Sequence, residues 1–183
     1  MAEIKKGNFT LDLKFFKLGA ELSEEDRQCA WELYTEIITR VAIVGKWHEP
    51  QAKSFDGEIY AESLVSVYRF FQECRSIMRK FPVGKIEVPD QDHLGVLIQR
   101  ILTDVFRPFL ETWQAKYRVW WEAQTKTGAD PFILQATFPE RDAMLEDWRN
   151  VRLIMRKVAL TLSKSYKLKP VIETTTSAKS PVV

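Results

Sequence analysis

The chain has 183 residues, enough to bury the core of one domain, with 45% apolar and 28% charged side chains as in an ordinary globular protein. A net charge of +2 gives only weak support for a polyanionic partner, and seven glycines are too few for a fold of many short strands and tight turns. No stretch approaches the ~20 consecutive apolar residues of a membrane span, and the N-terminal MAEIKKGNF is too polar for a signal peptide, so a cytoplasmic location with no membrane partner is expected.

In chain order, residues 8–18 alternate: Phe9, Leu11, Leu13 and Phe15 fall on one side, Thr10, Asp12 and Lys14 on the other. This period of two predicts a half-buried strand or arm within residues 1–20, needing a partner for its backbone. A first helix is predicted from Ser23, whose hydroxyl precedes Glu24, Glu25 and Asp26 at the positive end of the dipole. Its stripe is Ala30, Tyr34, Ile37, Val41 and Val44, with Gly45 as the stop. After a polar connection over 46–54, a second helix is predicted from near Asp56, with a stripe of Tyr60, Leu64, Val67, Phe71, Cys74, Met78 and Phe81 and an end at Pro82 and Gly84.

A third helix is predicted from Pro89 and Asp90, carrying Leu94, Ile98, Ile101, Val105, Phe109, Trp113, Tyr117 and Trp120. Pro108 lies inside it; the proline cannot donate to the carbonyl of Asp104, which predicts a kink. Residues 125–137 read as a loop, with Phe132-Ile133-Leu134 as an extended piece able to pair with the N-terminal strand. A fourth helix is predicted to open at a capping box, Thr137-Phe138-Pro139-Glu140, and to bury Met144, Trp148, Val151, Met155, Val158 and Leu162. The tail, 170–183, is non-periodic and is expected to be disordered. The fold class that follows is all-α: an antiparallel up-down four-helix bundle over residues 21–169, with a kinked third helix and a short N-terminal strand or arm.

The motifs of common chemistries are missing. Neither G-x-G-x-x-G nor G-x-x-x-x-G-K-[ST] occurs. The two histidines, His48 and His93, form no Glu-x-x-His pair, and Cys29 and Cys74 lie on apolar stripes with no histidine nearby. No catalytic residue, cofactor or metal is therefore expected. Trp47 and Trp121, with Phe9, Leu11 and Leu13 of the arm, are candidate interface residues, since Trp is enriched at hot spots. Arg149, Arg152 and Arg156, with Arg75 and Arg79, form rows that could hold phosphates or simply face solvent.

Three segments, AWELYTEIITRVA, AESLVSVYRFFQECRSIMRKF and DVFRPFLETW, resemble an uncharacterised bacterial helical family with an Arg-Pro-Phe-Leu-x-x-Trp motif. The resemblance covers roughly residues 28–162 and puts Arg107, Pro108, Phe109 and Trp113 in the motif, read physically as a helix kink locked by packing. The family commonly continues with His after the Trp; Gln114 stands here instead, which removes any catalytic His at that point. The resemblance implies an association with bacterial conflict or defence loci. The functional expectation is a non-enzymatic accessory subunit of a bacterial multiprotein system of the antiviral kind, binding a protein partner or itself. The alternative is a small nucleic-acid-binding subunit using the arginine rows.

Overall fold

The computed structural model describes residues 24–80, 94–125 and 128–168, together with the backbone of two short strands near the N-terminus. Among the described residues the protein is all-helical apart from those strands. The elements are α1 (Glu24–Ile38), α2 (Val41–Val44), α3 (Tyr60–Arg79), α4 (Leu94–Arg100), a π-helical stretch (Ile101–Phe106), α5 (Arg107–Gln124), α6 (Pro131–Ala136) and α7 (Arg141–Ser165). α4, the π stretch and α5 join into one kinked rod over 94–124.

Successive long helices lie antiparallel. Lys80 at the end of α3 reaches Glu32 of α1, while Cys74, a turn and a half earlier, faces Glu36 and Arg40. Tyr60 meets Tyr117, and Phe70 meets Phe106, setting α3 against the kinked rod. α5 and α7 are joined by the indole N–H of Trp113 donating to Asp147 at 2.9 Å and by Lys116 on Glu140 at 2.8 Å. The start of α1 lies beside Tyr166 and Leu168, and Ala42 beside Trp148, so α7 also runs against α1.

Met144, Trp148, Val151, Met155, Val158 and Leu162 of α7 are all fully buried, as their spacing predicts. The stripe of α3 departs from its predicted positions in the second half: Phe70 and Ile77 are buried, whereas Phe71 is half-buried and Met78 exposed. Buried Tyr60, Ser63, Val67, Phe70, Cys74 and Ile77 keep a three-four alternation, the period-3.5 seam of supercoiled helices, in a phase one residue ahead of the predicted Phe71 and Met78. The first predicted helix breaks at Thr39–Arg40. Arg40 is extended, at φ −104° and ψ 109°. That resets the register, so Val41 is exposed while Ala42, Ile43 and Val44 are buried.

The kink expected at Pro108 takes a definite form. The Arg107 N–H donates to the carbonyl of Leu102, a five-residue span that widens the turn just before the proline. A π turn makes room for a ring that would otherwise crowd the preceding turn. Phe109 is fully buried against Trp148, and Arg107 lies outside, paired with Glu111 at 2.8 Å.

Two expectations are overturned between α5 and α7. Phe132-Ile133-Leu134 is not extended; it forms the middle of α6. Asp130 caps that helix by accepting from Phe132 N at 2.7 Å, and Pro131 occupies the first turn, where a missing N–H has no cost. Thr137 does not open the last helix. It closes α6, its hydroxyl donating to the Leu134 carbonyl at 2.8 Å, and α7 begins at Arg141. The extended N-terminal segment therefore has a different partner: Phe9–Thr10 pairs antiparallel with Lys5–Lys6, as a two-residue hairpin ladder. Leu11, Leu13 and the segment 170–183 lie outside the described residues, as do the predicted ends of the second helix and start of the third.

Candidate interaction surface at an arginine-clamped loop

The polar connection between α2 and α3 carries few residues that can bury, yet Ala52, Phe55 and Glu58 are buried. What holds it down is α7. Arg152 and Arg156 stand four residues apart, on one face of that helix. Arg152 is fully buried. Its Nη2 lies 2.7 Å from both oxygens of Glu58, its Nη1 donates to the Ser54 carbonyl at 3.1 Å, and its guanidinium sits 3.8 Å above the Phe55 ring. Arg156 donates to three carbonyls at 2.6 Å each: Val44 through Nε, Lys46 through Nη2 and Glu49 through Nη1. Arg149 adds a bond to the Gln51 carbonyl at 3.0 Å.

Burial pushes the pKa of Arg152 down, and the Glu58 carboxylate opposes that. For Arg156 burial again acts downward, Glu49 upward and Arg152 downward. Arginine stays protonated through such shifts, so both remain cations. Glu58 is further held by the Ser63 hydroxyl at 3.0 Å. Its carbonyl accepts from Gln135 of α6 at 2.9 Å, and the same amide's oxygen accepts from Tyr60 N. The loop, α3, α6 and α7 thus share one buried polar network. The helix stripes contain no hint of it, because Arg152 and Arg156 read as a solvated or phosphate-binding row. That reading is corrected: they face inward and are spent on the loop. Arg149 is half-buried on the same loop; Arg75 and Arg79 are exposed on α3.

The candidate interface residues are likewise redistributed. Trp47 is half-buried beneath Arg156, with its ring 5.4 Å from the guanidinium carbon. Trp121 is half-buried and stacked on Tyr117 at 5.9 Å. Both belong to packing against the core rather than to a free surface. Phe9 is placed by its backbone only. The large apolar side chains that do face solvent include Phe132 at 52% and Ile133 at 69% exposure, on consecutive positions of α6. The signal for them was Asp130-Pro131, a cap followed by a first-turn proline.

Beside α6 lies an open cleft of about 550 Å³, bounded by Lys53, Phe55, Tyr60, Phe132, Gln135 and Arg141. The loop forms one wall and α6 the other, so the clamp sets the cleft's shape. Among the described residues no group of three or more His, Cys, Asp or Glu is placed to hold a metal ion, and no helix is long and apolar enough to cross a membrane. His48 is exposed in the loop, and His93 lies outside the described residues.

Fold and site together define an all-helical protein with a rigidified loop and a small apolar helix at one end. No family model matches the chain, and no curated protein or solved structure matches it either.

Proposed function

We propose that the chain is an antiparallel up-down four-helix bundle serving as a non-enzymatic interaction module, and that it docks a protein partner through α6 and the clamped loop. The observation that carries this is the exposure of Phe132 and Ile133 on a helix fixed at both ends. Asp130 caps its start, and Gln135 ties its end to Glu58 and Tyr60. Apolar side chains held rigid lose little entropy on binding, which is what an interface anchor needs. A role as an accessory subunit of a bacterial defence system is supported by the resemblance of the three segments within residues 28–162, and a cytoplasmic place by the polar N-terminal sequence.

The experiment is affinity purification of the tagged chain from its own host, beside a Phe132→Ser/Ile133→Ser variant. A stoichiometric partner retained by the native chain and lost by the variant, with the thermal midpoint unchanged, is the expected result. A monomer that retains no partner, or a partner held equally by the variant, removes this interface.

A further inference from the structure

The second half of α3 is one-sided in charge. Residues 65–80 hold Arg69, Arg75, Arg79 and Lys80 against the single acid Glu73. Lys80 is bridged to Glu32 of α1 at 2.7 Å, and Glu73 lines the groove on that same side, where its field also acts on Lys80. The three arginines are exposed, and among the described residues none of them has a carboxylate partner. They differ in this from Arg149, Arg152 and Arg156, which are bonded to the loop. Glu62, the next acid along α3, sits in its first turn, about 10 Å along the axis from Arg69. Tyr68, Gln72, Arg75 and Arg79 follow one another at helical intervals, so they form a single stripe about 16 Å long, with Arg69 beside its start. Tyr68 is 40% exposed and Gln72 is exposed. The stripe itself carries no acid to repel a polyanion. Guanidinium groups match phosphate oxygens through paired N–H donors. An exposed aromatic ring among them offers its face to an unpaired base, whereas a duplex keeps its bases in their own stack.

We propose that this stripe binds single-stranded nucleic acid, with Arg69, Arg75 and Arg79 holding phosphates and Tyr68 stacking on a base. Stacking and phosphate contacts carry little sequence information, so the preference among bases is weak. The surface is separate from the one at α6, which meets the first turn of α3 where Gln135 accepts from Tyr60 N, at the opposite end of that helix.

The probe is a fluorescently labelled oligothymidylate of about twelve nucleotides, titrated with the full chain by anisotropy over a range of salt concentrations. Its affinity is expected to fall with salt, log K dropping by about 2 per decade for three phosphate contacts on a single strand. Arg75→Gln/Arg79→Gln should cut that slope to about a third and weaken binding about tenfold or more at low salt. Tyr68→Leu should lose about tenfold with the slope unchanged, since it removes a stacking face and no charge. All three side chains are exposed, so the thermal midpoint should hold in both variants. Lys157→Gln/Lys164→Gln removes two exposed charges from α7 and should bind as the native chain does. No binding at low salt, an unaltered affinity in Tyr68→Leu, or an equal loss in the α7 variant overturns the proposal. So does equal affinity for a duplex of the same length, for oligoglutamate or for phosphatidylserine vesicles, because each would show an attraction to negative charge alone.

Discussion

Arg152 of α7 and Glu58 at the foot of α3 are 94 residues apart in the chain and meet in a buried ion pair, Nη2 2.7 Å from each carboxylate oxygen. Both ions are removed from water, and Glu58 is the carboxylate that Arg152 touches, with the charge of Glu49 acting on the guanidinium from farther off. Desolvation makes such a pair a poor source of net stability but a strong constraint, because neither partner tolerates the loss of the other.

Arg152→Met should therefore destabilise the protein by about 3–5 kcal/mol, since it strands the Glu58 carboxylate and frees the Ser54 carbonyl. Arg152→Met combined with Glu58→Leu should recover a large part of that loss. Urea denaturation of the two single variants and the double variant measures the coupling. Additive losses would show that the two side chains do not depend on each other.

Gly45 takes φ +65° and ψ −166°, a region that residues with a Cβ rarely enter. A Cβ there would also press on Arg152 Cδ and Arg156 Nη2, each at 3.4 Å. Gly45→Ala should cost about 1–3 kcal/mol, read from the denaturation midpoint. Amide exchange in residues 46–54 should speed up more than in α5, because the strain falls on the clamp. Uniform change across the chain would contradict this.

Alkaline pH should weaken the fold. Burial pushes the Cys74 thiol up, with the field of Glu36 adding to it. Burial does the same to the phenols of Tyr117, beside Tyr60, and of Tyr166, near Asp26. These groups stay neutral in the folded state, while in the unfolded chain they ionise from about pH 8.5–10 upward. Their pKa values are raised on folding, so stability is complete below that window and falls as pH rises through it. The slope is about 1.4 kcal/mol per pH unit for each group fully ionised only when unfolded. Urea titrations between pH 8 and 11 should show the decline, and Cys74→Ala should flatten it by about one group's share. An unaltered slope in that variant would mean the thiol is not sheltered.

The helices were legible because their evidence is local. The spacing of Met144, Trp148, Val151 and Met155 places them on one side of any helix, whatever surrounds it, and all four are buried. Pro108 predicted its kink for the same reason: a missing N–H acts on the turn that contains it. Misreadings arose where two local signals compete. Thr137 can start one helix or finish another, and the choice turned on Asp130-Pro131 having already begun α6. The arginines were misplaced for a further reason. A cation on the edge of an apolar stripe faces water unless something offers it acceptors, and the acceptors here are the carbonyls of Val44, Lys46, Glu49 and Ser54 from a loop about a hundred residues away.

What the sequence by itself determined is the all-helical character, the seam of α7 and the kink before α5, since periodicity and backbone chemistry operate within a few residues. Only the tertiary structure decided that Arg152 and Arg156 turn inward, that Trp47 and Trp121 pack rather than protrude, and that Phe132 and Ile133 stand in solvent. Burial and partnership depend on which distant segments arrive alongside. Reaching Glu58 from Arg152 requires the chain to fold back past α4 and α5, a condition that no spacing along the sequence records.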